Sequence, residues 1–417
     1  MKPARTDAVG VSIKFVAARA WFVLVSMIIG VWLARVAGSD AFGRYVTVVT
    51  ILVWLEMIAG GLNPHIMKMA AREEYYALQI LRRHQLVLAV VTAVSLYAGS
   101  DLLATVLKSR SLAPLFRVAA LDIVPYALFI SNVTILNGIE SYRKQWWTQI
   151  IYALGKMLFM GAGILLTGDV LWPLIGMVLA SLTAWGVSAC WIERHSIYKR
   201  MRTTSSGNRV PITTYIFSLL LGTSLAASLG IDLWFLQWWC ADAETVGLYA
   251  SAHNIVRVMY FGSAAMMAPL LPAVAQSGSF LKTLKSRPDL RHVVSLIIIG
   301  LIAGSIFLSV FGKFLIGLLY GEDFIEAAVF LRYLAPAYAL VVCGFAGTGL
   351  VFYSGRMGLA AALRCLSPAV FISGALLGVS QKGVIGIPLA LGITGLVLVV
   401  INIALFMRPT HNTDHPS

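Results

Sequence analysis

Long apolar runs with few charges dominate this chain, and they leave only one solvent for most of it. They recur at 14–37, 45–66, 84–104, 115–138, 148–167, 172–192, 214–236, 247–270, 293–311, 327–351, 364–380 and 384–407. A helix rising 1.5 Å per residue needs about 20 residues to cross a hydrocarbon core of about 30 Å, so the runs read as twelve transmembrane helices. Apolar runs without period-two alternation exclude a β-barrel. Composition agrees: of 417 residues, 59% are hydrophobic and 12% charged, and mean hydropathy is +0.84, whereas soluble domains carry about 25% charged residues. A sizeable soluble catalytic domain, a disordered chain and a disulfide-stapled secreted fold are all excluded. The first run follows Lys2, Arg5 and Lys14, but its length, Arg19 and the lack of a small-residue cleavage site make it a retained span rather than a signal peptide.

Lys and Arg in the connecting segments orient the spans. With a cytoplasmic N-terminus, the outer segments hold only Arg44, Lys108, Arg110, Lys313 and Lys382, while 21 Lys and Arg fall on the cytoplasmic side. Both termini are therefore expected in the cytoplasm. The net charge of +14 is explained by this asymmetry and by attraction to anionic lipid, with no need of nucleic acid.

The longest hydrophilic connection, 193–213, is basic, rich in Ser and Thr, and lies at the midpoint. It divides the chain into an expected N-terminal six-helix bundle (1–192) and a C-terminal one (214–417). A weak internal repeat supports the division. Asp40-Ala41-Phe42-Gly43-Arg44-Tyr45, at the start of the second span, matches Glu244-Thr245-Val246-Gly247-Leu248-Tyr249, at the start of the eighth, with a constant offset of 204. Both spans later meet a proline, Pro64 and Pro269. Copies with the same orientation predict halves related by an axis along the membrane normal.

Ionisable residues inside spans are expensive and are functional candidates by default. The basic set is Arg19, Arg117, Lys156, His253, Arg257 and Arg332; the acidic set is Glu56, Asp122 and Asp232. Helical spacing aligns Glu56 with Gly60 and Asn63, Gln149 with Tyr152 and Lys156, His253 with Arg257, and Ser224 with Ser228 and Asp232. Such stripes belong on faces turned away from lipid. Arg35 and Arg364 lie at span ends, where long side chains snorkel to the headgroups. Trp32, Trp146, Trp147, Trp172, Trp191, Trp234, Trp238 and Trp239 fall near expected interfaces and read as an aromatic belt. The four cysteines follow no ligand spacing, so no metal site is expected. There is no GxxxxGK[ST] loop for a nucleotide, no cofactor is expected, and no outer loop is long enough to carry catalytic residues. The chain reads as a transporter rather than an enzyme.

Five segments carry a family resemblance: GRY (43–45), ILNGIESYRKQ (135–145), VGLYASAHNIVRV (246–258), FGKFLIGLLYGEDFIEAAVFLRYLAP (311–336) and GVIGIPLALGITG (383–395). In this order along nearly the whole chain they resemble the Wzx-type flippases of polysaccharide biosynthesis, which belong to the larger group that includes the multidrug and toxin extrusion transporters. The resemblance implies an all-α polytopic fold of about twelve helices in two six-helix bundles around a central cavity. It implies alternating access that moves an undecaprenyl-diphosphate-linked oligosaccharide to the outer leaflet of the bacterial inner membrane, alongside polysaccharide polymerase machinery. The chemistry fits. A diphosphate suits a cavity richer in Arg and Lys than in acids, and a sugar needs a wet polar route across hydrocarbon. Lys156, Arg257, Arg19, Arg117, Arg332 and His253 are therefore the candidate substrate contacts. Glu56, Asp122 and Asp232 are the candidates for ion coupling. A multidrug cation antiporter of the same fold and a peptidoglycan-precursor flippase are the alternatives.

Overall fold

A computed structural model describes residues 8–139, 141–167, 169–194, 197, 199–200, 230–267 and 270–407, with side chains for those from Trp21 onward except 22, 23, 194, 265, 272, 275, 276 and 357. The described residues form helices joined by short turns, with no strand among them. In order they are α1 (Ala8–Ala59), α2 (Asn63–Ala71), α3 (Tyr75–Ala98), α4 (Ser100–Val106), α5 (Leu112–Gly138), α6 (Tyr142–Thr167), α7 (Leu171–Arg194), α8 (Ile231–Cys240), α9 (Ala243–Met267), α10 (Leu270–Ser277), α11 (Phe280–Ser286), α12 (Pro288–Tyr320), α13 (Ala327–Tyr353), α14 (Met357–Lys382) and α15 (Gly386–Met407).

Eight stretches among the described residues are long and apolar enough to cross a membrane, and two of them, Leu24–Ala59 and Gly358–Met407, each contain two of the expected spans. The eighth expected span is the 25-residue helix α9, which is less apolar. Most of the seventh lies outside the described residues, as do Ser224, Ser228, Pro269 and most of the 193–213 linker. Expected spans one and two run together as α1, interrupted only at Gly38, whose φ of 80° no helix permits. That left-handed conformation is one glycine adopts readily. The expected third span divides into α3 and the short α4 at Gly99.

Three helices carry an internal proline, which cannot donate to the carbonyl four residues before it. In α13, Pro336 frees the Arg332 carbonyl, which accepts a bond from the Ser309 hydroxyl at 3.3 Å. In α14, Pro368 frees the Arg364 carbonyl, and the Ser367 hydroxyl donates to it at 3.0 Å. In lipid a freed carbonyl must find such a donor. The third, Pro125 in α5, follows Asp122 by one turn.

Contacts group the chain into two compact units, Met1–Ala250 and Ser251–Ser417. In the first, α5 packs against α7, α3 and α1, and α6 against α7 and α1. The short α2 docks through Ile66 and Ala70 onto Leu78, Leu81, Ile135, Leu136 and Ile192. In the second, α15 packs against α13 and α14, and α12 against α13. Close packing is achieved with small residues, as membrane helices require when no hydrophobic force separates protein from lipid.

Candidate functional site

Three of the charged residues meet inside the first unit. Glu56 comes from the second half of α1, Asp122 from α5 and Lys156 from α6, and each acts electrostatically on the other two. Asp122 is fully buried and Glu56 is 8% exposed. The Asp122 carboxylate faces Glu56 and the Ser181 hydroxyl of α7, yet neither its oxygens nor the Ser181 hydroxyl forms a well-aligned hydrogen bond. Lys156 projects along its own helix, its Nζ 5.5 Å from the Tyr152 ring centre. Tyr152 packs on Phe129 at 4.8 Å and on Tyr126 at 5.8 Å, so an aromatic layer closes one side of the cluster. Tyr45, also buried, lies within the electrostatic reach of Asp122.

Charge counting shows what this arrangement can do. Two carboxylates and one ammonium carry a net charge of −1 in a low-dielectric interior. One added proton leaves a neutral set, and the same site then has two charge states separated by a single proton. Sequence analysis gave Lys156 to the substrate and the two acids to coupling. The structure brings all three into one cluster, so the charge of Lys156 is balanced locally.

The third acid, Asp232, opens α8 and is also buried. It accepts a hydrogen bond from the Tyr249 hydroxyl at 2.9 Å. On the same helix Gln237 is held between Thr47, whose hydroxyl donates to it at 3.3 Å, and the Leu107 carbonyl, to which it donates at 3.4 Å. Trp234 meets Trp54 edge-on at 5.3 Å.

The other candidates are dispersed. Arg117 is at the exposed end of α5 and pairs with Asp101 at 2.6 Å and with the Ser100 hydroxyl at 3.1 Å. Arg332 is exposed on α13, whereas Arg257 is half-buried on α9. In the second unit His253 is buried edge-on to Tyr338, their rings 5.4 Å apart, with Nε2 3.5 Å from the hydroxyl. The side chain of Arg19 lies outside the described residues. Arg364 is half-buried on α14. Among the described residues no group of His, Cys, Asp and Glu could hold a metal ion.

Sequence reasoning missed Ser181, Thr47 and Gln237, whose polar character is ordinary within a span. It quoted Tyr45 and Tyr249 only as letters of the repeat. Their shared offset was the signal, since Tyr249 bonds a buried aspartate and Tyr45 lies within the electrostatic reach of another.

Comparison with known proteins places this geometry. A family model described as "Polysaccharide biosynthesis protein" matches residues 18–277. No curated protein matches. Among solved structures, an inward-facing multidrug resistance MATE family transporter of the MOP superfamily is similar at 14% identity over 92% of this chain and 93% of its own, with a TM-score of 0.70. The lipid II flippase MurJ, in an inward closed conformation, is similar at 12% identity over 95% and 87%, with a TM-score of 0.74. An outward-facing MATE transporter is similar at 14% identity over 96% of both chains, with a TM-score of 0.62. At these identities the likeness shows a shared fold: this chain is an all-α, multi-pass membrane protein whose fold resembles those of MATE transporters and MurJ.

Proposed function

Because the chain belongs to the polysaccharide biosynthesis protein family, we propose that it is a flippase that carries an undecaprenyl-diphosphate-linked oligosaccharide from the cytoplasmic to the outer leaflet of a bacterial inner membrane. The product feeds a surface or extracellular polysaccharide. The family match over most of the chain, joined to a fold shared with the lipid II flippase MurJ, carries this reading. Both termini are cytoplasmic, and the two six-helix halves, 1–192 and 214–417, alternate access to a cavity between leaflets. Polysaccharide polymerase machinery consumes the product.

In this reading Arg257, the half-buried cation without an assigned acid in its sequence stripe, meets the diphosphate, with Arg19, Arg117, Arg332 and His253 as further polar contacts along the route. Lys156 serves within the Glu56–Asp122 cluster, which takes up and releases the proton that gives transport its direction; Asp232 is the corresponding acid near the repeated Tyr249. A multidrug cation antiporter is the second reading, favoured by the MATE neighbours and by the local balancing of Lys156.

Purified protein in vesicles separates the two. Lipid-linked oligosaccharide supplied in the inner leaflet should become accessible to an external glycosidase, Arg257→Ala should slow this at least tenfold, and Lys285→Ala on the exposed face of α11 should not. Proton-driven efflux of organic cations, with no movement of the lipid-linked sugar, would establish the antiporter instead.

A further inference from the structure

The two copies of the internal repeat meet each other. A Cβ added to Gly43 would strike the Ala243 carbonyl oxygen and come within 2.8 Å of the Gly247 backbone nitrogen. Reciprocally, a Cβ on Gly247 would strike the Ser39 carbonyl oxygen and come within 3.1 Å of the Gly43 nitrogen. Ser39 and Gly43 are one helical turn apart, as are Ala243 and Gly247, and the offset of 204 relates the first pair to the second. The contact is therefore isologous, each element using the same surface as its partner. Only small residues allow two helix backbones to come this close.

What surrounds the crossing is repeated too. Five residues before Gly43, Gly38 holds φ 80° and ψ 177°; six before Gly247, Ala241 holds φ 54° and ψ 15°. Each helix thus begins after a break, a position able to absorb a change in direction, though the two breaks differ in conformation. Two residues beyond each glycine comes a buried tyrosine: Tyr249 is bonded to Asp232, and Tyr45 lies within the electrostatic reach of Asp122. One turn inside, Thr47 is fully buried, its single hydroxyl proton within reach of two acceptors, the Gly43 carbonyl at 2.9 Å and Gln237 Oε1 at 3.3 Å. Backbone contact, helix breaks and buried tyrosines lie within two turns of one another, at the end of both helices remote from the basic loops.

We propose that the Gly43–Gly247 crossing is the closed gate on the outer side of the transport pathway. It parts when the two helices swing about Gly38 and Ala241, and the tyrosines link that movement to the buried aspartates. A seal of this kind is watertight because backbones touch, and it separates readily because glycines interlock no side chains. The inference rests on the alternating-access reading, but its test reads access and not substrate.

In a background with Cys190, Cys240, Cys343 and Cys365 replaced by serine, Thr47→Cys reports the gate. A membrane-impermeant maleimide added outside should label it slowly in the parent, and at least tenfold faster when Gly43→Leu or Gly247→Leu wedges the crossing open. Unchanged labelling in leucine variants that accumulate normally would overturn the proposal. Should the leucine variants fail to accumulate, Ser39→Cys with Ala243→Cys keeps both glycines; joining the two thiols with a short bifunctional reagent should abolish transport and suppress Thr47→Cys labelling during turnover. Transport at the uncross-linked rate by the fully joined protein would overturn it equally. If the parent moves no lipid-linked oligosaccharide while the labelling pattern holds, the substrate assignment fails and the gate stands.

Discussion

Asp122 is a fully buried carboxylate with no well-formed hydrogen bond, held near a second acid and a lysine. Such a group is costly unless its charge is shared or removed. Its cost is the argument for function, since Asn would fill the same space more cheaply. Neutralising it by Asp122→Asn, or its neighbour by Glu56→Gln, should remove the dependence of vesicle transport on an imposed proton gradient while downhill flipping persists. Equal rates with and without the gradient in the wild type would refute coupling here. Removing the cation alone should be worse for the fold: leaving one partner of a buried pair without the other costs about 3–5 kcal/mol. Lys156→Met should therefore lower the melting temperature, and adding Asp122→Asn should recover a substantial part of the loss. A double variant less stable than Lys156→Met would show that Lys156 does not balance the acids. The sequence displayed each of these charges, because an ionisable residue in an apolar run stands out. It could not display their meeting, because the partners sit on three separate spans and helical spacing relates residues only within one.

Among the elements, the long helices were legible and the short ones were not. An apolar run long enough to span announces itself by solvent preference alone, whereas α2, α4, α10 and α11 are short segments whose docking depends on tertiary partners. The break at Gly38 was equally hidden, since a lone glycine between apolar runs does not reveal its φ. Helix starts carry a clearer signal. Asp242 precedes α9, and its carboxylate accepts the Thr245 backbone N–H at 3.0 Å. The Thr245 hydroxyl first, then the amides of Thr245 and Glu244, hold the Asp242 carboxyl below its usual range. A depressed folded pKa contributes stability in full above the ordinary value of about 3.9 and loses it as pH falls through the folded value. Asp242→Ala should thus cost about 1 kcal/mol, by an amount constant between pH 7 and 5, with Asp242→Asn, which keeps a capping oxygen but not the charge, costing less. Thermal unfolding at the two pH values checks this; a deficit that vanishes by pH 5 would contradict it.

For the whole molecule, the lopsided distribution of Lys and Arg predicts which ends of the helices face the cytoplasm. Arg200→Cys should react with an impermeant thiol reagent only from the cytoplasmic side, and Thr245→Cys only from outside; the reverse pattern would overturn the orientation and move the proposed gate to the other leaflet. Fold class and family were both readable in advance, because span number and motif order are properties of the entire chain. The reciprocal crossing of the two repeats was half readable: an acid, a glycine and a tyrosine at one offset revealed the symmetry, and only the fold reveals that the symmetric glycines touch. In the proposed function, the protein moves a lipid-linked sugar between leaflets. Reconstituted into vesicles with undecaprenyl-diphosphate oligosaccharide in the inner leaflet, the protein should render that sugar accessible to an external glycosidase far faster than protein-free vesicles do, and Arg257→Ala should restore the slow rate. Accessibility that rises no faster with the protein than without it would contradict the account.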